Sequence, residues 1–503
     1  MTLRLAQVRR LTRTACPSVL FFVTFLWLGC EAPEQRYPGH LTLRLSSNPT
    51  TLDPALITDV TGGSIAAKLF NGLVRFNDNL DIVPDIAESW KIAPDKRTYT
   101  FRIRKDASFS SGRTVTAGDF VFSFERVLDK RTKAPLTWVL DRIEGSRVFT
   151  EGTSNHVAGL SAPDDHTLII RLNRPFAPFL ALLGMTTASV VPREEAILRG
   201  NEFGAHPMGT GPYTLREWNQ GQDLVLDARK DYFEGSPHLS GIRYRIIPED
   251  LTAVVEFETG RLDIFTIPAS EFRRYTTDKK WKGLVQGKPG LNCYYLGLNC
   301  SRPPFNDLRL RQAVSLAIDR KRIFETVYEG RGTLASGPVP PLLRSYRRPG
   351  SLSADPYPYA PEQARKIIEA AGWKGKTVTI LISAEPEILD LVEVIQQYLN
   401  AAGLEAKIIQ LDWSAFKQAV NRGEGEAYWL SWWADYPDPE NFLYPLFHSS
   451  NIGPGGNRSR YSDPDFDRMI EEAQTTLNDN LRSIIYKKAE QRIIDSAPWV
   501  FLW

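Results

Sequence analysis

The stretch TVTILISAEPEILDLVEVIQQYLNAAGLEAKIIQLDWSAFKQAVNRGEGEAYWLSWWADYPD (residues 377–438) decides the fold. Short apolar runs of strand length alternate in it with longer segments whose apolar residues recur every three or four positions, the spacing of an amphipathic helix. Strand, helix, strand, helix and strand in this order predict an open α/β sheet. The predicted elements are 377–383, 386–401, 404–411, 413–422 and 427–433.

The residues after the last of these strands form the best candidate site. In open α/β sheets, ligands bind in the crevice outside the carboxyl ends of the strands. Residues 434–438 (ADYPD) lie just past the strand 427–433. We therefore expect a ligand to meet the protein at this loop.

Upstream of this stretch, strands and helices also alternate. The clearest strand signal is at 90–104, where Tyr99, Phe101 and Ile103 share one face and charged residues occupy the other. A helix that begins near Ala117 follows, with Phe120, Phe124 and Val127 predicted to face inward. The other predicted elements are strands at 41–45 and 164–172, strands within GTGPYTL (209–215), DLVLDARKDY (223–232) and IRYRIIPED (242–250), and helices at 64–75, 251–260, 306–328 and 361–371.

The N-terminal segment has the composition of an export signal. Residues 1–29 contain four arginines and no acidic residue, and an apolar run from 19 to 28 ends at Gly29 and Cys30. Such a run is too short to span a bilayer as a stable helix and is typical of a secretory signal peptide; a short membrane anchor is the alternative. LWLGC (26–30) resembles a bacterial lipobox. This resemblance implies a signal peptide at 1–29, lipidation of Cys30 and a polar tether over 30–40.

Charge argues against nucleic acid as a partner. Without the four arginines of residues 1–29, the 61 Lys and Arg of the chain fall to 57, against 59 Asp and Glu, a formal charge of −2. No basic stripe remains, and nucleic-acid-binding proteins depend on one.

Beyond the lipobox only Cys293 and Cys300 remain, in the run NCYYLGLNC. This run has the pattern of a strand, and seven residues of strand span roughly 23 Å. A disulfide requires Cα atoms within about 7 Å. The sequence therefore predicts two unpaired thiols.

No segment assembles the groups of an enzyme. AAGWKGKT (370–377) satisfies a loose phosphate-loop pattern, but a helix is predicted before it and a strand after it, the reverse of the order that places phosphate at a helix N-terminus. TGGSIA (61–66) lacks the closing glycine of a nucleophile elbow and is better interpreted as the start of a helix. The six histidines are scattered, with no two spaced four apart. We predict no catalytic residue, no metal and no cofactor.

Five segments, in order along the chain, resemble the hallmarks of bacterial ABC-transporter solute-binding proteins of family 5, which contains the dipeptide, oligopeptide and nickel receptors. The resemblance covers nearly everything from about residue 41 onward. The segments are AESWKIAPDKRTYTFRIRKDASFSSGRTVTAGDFVFSFER (87–126), MGTGPYTLREWNQGQDLVLDARKDYF (208–233), LNCSRPPFNDLRLRQAVSLAIDRKRI (298–323), YPYAPEQARKIIEAAGW (357–373) and WWADYPDPENFLYPLF (432–447).

The resemblance implies a periplasmic-binding-protein-like, two-lobe α/β fold with an extra subdomain on lobe I and a hinge that the chain crosses twice. Relatives usually return to lobe I after the motif APWVFLW and continue for some dozens of residues, whereas this chain stops at Trp503. The implied borders are 41–75 and 207–291 for lobe I, 76–206 for its extra subdomain, 292–495 for lobe II, and 496–503 for an incomplete start of the return to lobe I.

The resemblance also implies the function: a monomeric receptor, held outside the cytoplasm by its lipid anchor, that captures a peptide between the lobes and delivers it to the permease of an ABC importer. In peptide-binding relatives, an Asp soon after the Trp-rich strand receives the α-ammonium group of the ligand, and Asp435 stands at that position. As an alternative, Asp435 caps the turn before Pro437. The other candidate ligand residues are Trp432, Trp433, Tyr436, Asn48, Pro49 and Thr50.

Trp432 and Trp433 are consecutive in a strand, so we expect one ring to face the cleft and the other to face the core. Three further functions stay open at this stage. The chain could bind a non-peptide solute such as a metal chelate or a sugar. It could be a ligand-binding sensor that takes no part in transport. A hydrolase would turn over a bound peptide.

Overall fold

The computed structural model describes residues 37–343 and 355–503. The predicted signal peptide at 1–29, the lipidation site Cys30 and most of the tether lie outside the described residues. Within the described ranges, no helix is both long enough and apolar enough to cross a membrane.

The N-terminal part of the fold contains a two-stranded sheet, a four-stranded sheet and the first strand of another four-stranded sheet. The elements are β1 (His40–Leu45), α1 (Val60–Leu69), β2 (Val74–Phe76), β3 (Ile82–Pro84), β4 (Ala87–Ile92), β5 (Thr98–Ile103), α2 (Ala117–Leu128), α3 (Ser146–Thr150), β6 (Leu160–Asp164), β7 (Thr167–Arg171), α4 (Phe179–Leu183) and α5 (Arg193–Arg199).

The hairpin of β8 (Tyr213–Asn219) and β9 (Asp223–Ala228) and the strand β10 (Gly241–Ile246) complete the sheet that β1 begins, and a five-stranded sheet follows. The further elements are α6 (Asp250–Glu258), α7 (Phe272–Thr277), β11 (Asn292–Leu298), α8 (Leu308–Ala317), α9 (Arg320–Thr326), α10 (Pro361–Ala370), β12 (Thr377–Ser383), α11 (Pro386–Ala401), β13 (Glu405–Leu411), α12 (Trp413–Arg422), β14 (Ala427–Trp433), α13 (Glu440–Phe447), α14 (Pro464–Thr475), α15 (Asp479–Ser496) and β15 (Trp499–Phe501).

The first-lobe sheet has the strand order β1-β10-β9-β8. β1 pairs in parallel with β10, although almost 200 residues separate them along the chain, and β8 and β9 form an antiparallel hairpin. The interval between these strands contains the extra subdomain, an antiparallel sheet of order β4-β5-β7-β6. Helix α2 packs on this sheet, and the two share one apolar core.

The second-lobe sheet has the order β13-β12-β14-β11-β15. β12 is parallel to both β13 and β14, and α11 and α12 are the crossover helices that parallel strands require. Ile380 and Ile382 point into one apolar cluster, and Leu381 and Tyr428 into another on the opposite face. The open α/β sheet predicted from 377–438 is confirmed, as is the helix-before-strand order around AAGWKGKT.

Three predicted elements differ from the structure. The strand at 90–104 is a hairpin of β4 and β5, because Lys96 takes a left-handed φ of 58° and turns the chain. The helix at 306–328 is two helices, since Ile318 is extended and Asp319 caps α9 by accepting from the Arg322 amide. The helix at 64–75 begins and ends earlier, because Asp59 caps α1 and Phe70 is extended.

The two thiols beyond the lipobox are unpaired, as predicted: Cys293 is buried in β11, and Cys300 follows that strand.

The C-terminal strand contradicts one prediction. Residues 496–503 were expected to start a return to lobe I, but β15 is an edge strand of the second-lobe sheet and pairs antiparallel with β11. The physical reason is aromatic packing: Trp499 stacks on Tyr295, with ring centroids 3.3 Å apart, and contacts Phe447 at 4.5 Å. The other lobe borders stay predictions.

This packing predicts that Trp499, which is 2% exposed, contributes strongly to the free energy of unfolding. The substitution Trp499→Ala should lower the free energy of unfolding by about 3–5 kcal/mol, since it leaves a cavity beside Tyr295 and Phe447 in the core on this face of the sheet. Urea denaturation followed by far-UV circular dichroism measures this. The matched control is Trp433→Ala, at a tryptophan that is 60% exposed, with an expected effect within about 0.5 kcal/mol. Equal stabilities of the two variants would contradict the packing argument.

Candidate ligand-binding site

The loop after β14 presents the predicted site residues. Two prolines, Pro437 and Pro439, have no backbone N–H to donate in this loop, and Pro439 is the N-cap residue of α13. Asp438 closes the loop: its Oδ1 accepts from the Glu440 amide at 2.9 Å, and its Oδ2 pairs with Arg482 of α15 at 2.7 Å. Asp438 is 4% exposed, so the pair fixes the loop firmly to the helix behind it.

A cavity of about 370 Å³ lies against this loop. One wall belongs to the second lobe and the other to the extra subdomain, so two separate parts of the fold enclose it. The structure brings three predicted site residues together here, Trp432, Asp435 and Tyr436. The full lining is Trp138, Asp141, Arg142, Phe176, Leu182, Trp432, Asp435, Tyr436, Glu440, Asn441, Tyr444, Pro445, Asn451 and Gly455.

Asp435 lines this cavity with a partly desolvated carboxylate. Its side chain is accessible, yet the surrounding protein raises its pKa by desolvation, and a hydrogen bond from Asn441 to Oδ2 at 3.3 Å opposes the rise. Among residues 37–343 and 355–503, no cation contributes to that pKa. A carboxylate in this state can receive a cationic group from a ligand.

Tyr436 is 5% exposed and packs into the subdomain core beside Trp138, with ring centroids 6.1 Å apart. Its hydroxyl donates to one carboxylate oxygen of Glu440, while Gln474 donates to the other at 2.7 Å. Gln474 also contacts the subdomain, because its backbone carbonyl oxygen accepts a hydrogen bond from the Ala177 amide at 2.6 Å. Tyr436 therefore joins the two walls of the cavity as well as lining it.

The expected division of the two tryptophans between cleft and core stays a prediction. Trp432 packs against a core cluster and also lines the cavity, with Nε1 donating to Asn441 Oδ1 at 3.3 Å. Trp433 is 60% exposed. The reason is its position as the last residue of β14, where the sheet ends.

Asn48, Pro49 and Thr50 lie elsewhere, on the first lobe. Asn48 Oδ1 accepts from Trp218 Nε1 at 3.1 Å, and Thr50 donates to Asp59 at 2.8 Å. None of the three lines the cavity at Asp435. Their role in ligand binding stays a prediction.

Sequence reasoning missed a second, larger cavity of about 590 Å³. It lies at the carboxyl ends of β12, β13 and β14, and two first-lobe residues, Ala269 and Ser270, contribute to it. Trp413 is 54% exposed and stands just past β13, so the strand-end rule that indicated Asp435 could have found it. The other aromatic residues of this cavity, Tyr294, Tyr328, Trp429 and Trp503, have the pattern of core residues in the sequence.

No cluster of three or more His, Cys, Asp or Glu side chains in the described part of the chain is arranged to hold a metal ion.

Comparisons with known proteins agree on one family. The sequence model described as "Bacterial extracellular solute-binding proteins, family 5 Middle" matches residues 81–454. The Heme-binding protein A of Haemophilus influenzae is 30% identical over 90% of this chain and 84% of its own length.

Two solved structures are similar over almost the whole chain. An unliganded, open form of the periplasmic murein tripeptide-binding protein MppA is 27% identical, with a TM-score of 0.80, and the match covers 92% of this chain and 91% of that one. DppA from Helicobacter pylori, in complex with the peptide STSA, is 29% identical, with a TM-score of 0.72 and coverage of 92% and 91%. The two-lobe α/β fold is thereby confirmed.

The buried carboxyl of Glu440 predicts a pH-dependent stability. Burial raises its pKa from the usual 4.5 to about 7. A raised carboxyl pKa favours the folded state only while the group is protonated, so its ionisation costs stability as pH rises from 4.5 through about 7. Glu440→Gln should therefore match the wild type near pH 4.5 and exceed its free energy of unfolding by up to about 3 kcal/mol above pH 7.

Thermal melts of both proteins across this pH range measure the difference directly. Asp390→Asn, at an exposed acid that lines the other cavity, is the control and should not reproduce the pH-dependent gain of Glu440→Gln. An advantage of Glu440→Gln that shrinks with rising pH would overturn the assignment.

Proposed function

Because the chain belongs to family 5 of the bacterial extracellular solute-binding proteins, we propose that it captures a short peptide outside the cytoplasm and delivers it to the permease of an ABC importer. The observation that carries the peptide assignment is the carboxylate of Asp435, which lines the cavity beside the loop and forms no ion pair within the described residues. The peptide complex of the Helicobacter pylori relative supports the ligand class.

Asp435 receives the α-ammonium group of the peptide. The ammonium restores the interactions that the carboxylate lost on partial burial, so the pair selects ligands with a free N-terminus. Trp432, Tyr436 and Trp138 supply aromatic surface around the pair, which favours a cation further. Main-chain hydrogen bonds along the peptide add affinity without selecting its sequence.

The peptide extends from Asp435 toward the second cavity, where Trp413 and Ser431 stand on the same sheet edge. Closure of the lobes brings Asn48, Pro49 and Thr50 to the ligand from the opposite side, as in hinge-closing receptors. The higher similarity to an unliganded, open relative than to a peptide complex supports an open arrangement here.

A non-peptide solute is the second candidate, since the relative with 30% identity is a heme-binding protein by name. Such a ligand has no ammonium group for Asp435. Titration of the protein with hemin, followed by the Soret absorbance, distinguishes this candidate, and Asp435→Asn should leave hemin binding largely unchanged.

The decisive substitution for the peptide assignment is Asp435→Asn. The amide keeps the shape of the side chain but loses the charge, so peptide affinity should fall by about 2–4 kcal/mol, or about 30- to 700-fold. The probe is the tightest-binding member of a library of unblocked di- and tripeptides, and isothermal titration calorimetry at pH 7.5 measures the dissociation constant.

Asp141→Asn is the matched control, because Asp141 lines the same cavity but already pairs with Arg142 at 3.4 Å. Its effect should stay within about threefold. A library without any binder, or equal losses in the two variants, would sink the proposal that Asp435 receives the peptide.

We further propose that a lipid on Cys30 holds the protein, as a monomer, at the outer side of a membrane. The lipobox-like LWLGC (26–30) supports this site. A diacylglyceryl group with a further acyl chain gives stable anchoring, whereas one chain is only marginal.

Cys30→Ala should move the protein from the detergent phase to the aqueous phase in Triton X-114 partition of bacterial cells that produce it. The control is Cys16→Ala, at a cysteine inside the predicted signal peptide, which should leave partition unchanged. Intact mass spectrometry of the wild type should give an N-terminal Cys30 with its lipid mass, and an unmodified Cys30 would disprove the anchor.

A further inference from the structure

In the described part of the chain, Asn441 of α13 is the one side chain that hydrogen-bonds to both the carboxylate and the backbone of Asp435. Its Nδ2 donates to Asp435 Oδ2 at 3.3 Å, and its Oδ1 accepts from the Asp435 amide at 2.9 Å. It is 3% exposed. We propose that Asn441 is a positioning residue that fixes the direction of the Asp435 carboxylate and keeps it ionised for the ligand's ammonium group. This inference rests on the proposed function.

The orientation of the Asn441 amide is determined by its neighbours. Two donors, the Asp435 amide and Trp432 Nε1, point at the same atom, so that atom must be the oxygen. The NH₂ group is thereby directed at the Asp435 carboxylate. The reverse orientation would set NH₂ against both donors and the oxygen against a carboxylate, and each of these contacts is unfavourable.

The hydrogen bond from Asn441 acts on the charge of Asp435. Desolvation raises the pKa of Asp435, and the Asn441 hydrogen bond lowers it. A donor to the charged form is what keeps a partly buried carboxyl ionised. In the described part of the molecule, the Asn441 hydrogen bond lowers the pKa of Asp435 and leaves its negative charge uncompensated. A Lys or Arg in the same place would neutralise that charge. The carboxylate therefore stays available to a ligand cation.

The other titratable groups around the cavity do not supply this effect. On the subdomain side, Asp141 and Arg142 pair with each other at 3.4 Å. On the second-lobe side, Glu440 is held by Tyr436 and Gln474. None of these groups contributes to the pKa of Asp435. Asn441 is thus the residue whose replacement should change the protonation of Asp435.

The sign of the pH effect follows from this arrangement. An ammonium ligand binds the ionised form of Asp435, so its affinity is present above the pKa of that carboxyl and is lost as pH falls through it. Removal of the Asn441 donor raises this pKa further. The midpoint of the affinity loss should then move to higher pH. A role in structure alone would lower affinity equally at every pH.

The experiment measures the dissociation constant of the library-selected peptide from pH 4 to pH 8 for wild type, Asn441→Ser and Asn441→Asp. In Asn441→Asp a second carboxyl group replaces the donor, so the midpoint of the affinity loss should rise by about one pH unit or more. Asn441→Ser removes the amide donor without adding a charge and should shift the midpoint in the same direction by less. Thermal melts verify that each variant is folded.

The Asp435→Asn background separates the possible outcomes. In this background the peptide affinity should not change between pH 4 and pH 8. Adding Asn441→Ser should leave this pH profile of the affinity flat. If Asn441 variants weaken binding uniformly with an unmoved midpoint, the inference is wrong although the proposed function stands. If Asp435→Asn alone leaves affinity and its pH profile unchanged, the proposed function itself fails. Should Asn441→Asp not fold, Asn441→Ser alone decides by its midpoint.

Discussion

Taking water from a carboxylate costs free energy unless donors or a cation replace that water. At Asp435 the fold removes part of the water, and the residues that the structure describes supply one neutral donor, Asn441, in its place. Three parts of the chain cooperate in this. β14 places the residue at the carboxyl edge of the sheet, α13 supplies the amide, and the subdomain closes the cavity with Trp138 and Phe176. The carboxylate therefore has no cationic partner within the described residues, and we propose that the ammonium group of a ligand supplies one.

The same loop also holds the subdomain to the second lobe. Tyr436, the residue after Asp435, is buried in the subdomain core and hydrogen-bonded to Glu440. Glu440 is 2% exposed, and the Asp438–Arg482 ion pair fixes the other end of the loop. Buried polar groups of this kind are costly unless each is satisfied, and once satisfied they favour one arrangement. The position of Asp435 is therefore set by the contact between two parts of the fold.

The sequence predicted the second-lobe sheet well and its surroundings less well. Short apolar runs alternate in 377–433 with segments of helical periodicity, and β12, α11, β13, α12 and β14 follow the predicted bounds within a residue. The structure departs from the predicted elements where a single backbone angle or a tertiary contact determines the conformation. Lys96 turns a predicted strand into a hairpin, and aromatic stacking on Tyr295 draws Trp499 into the second-lobe sheet. At the site, the strand-end rule indicated Asp435, but it could not predict Trp138 or Arg142. These residues come from another domain, and only the folded chain brings them near.

Asp435 is proposed to pair with the ammonium group of the peptide, so the most direct measurement removes that group from the ligand and leaves the protein intact. The tightest-binding peptide of the unblocked library and its N-acetylated counterpart differ only in the ammonium group. Calorimetry on the wild-type protein should give a dissociation constant at least about 100-fold larger for the acetylated peptide, because acetylation leaves the partly buried carboxylate without a partner. Equal affinity for the two peptides would contradict the account.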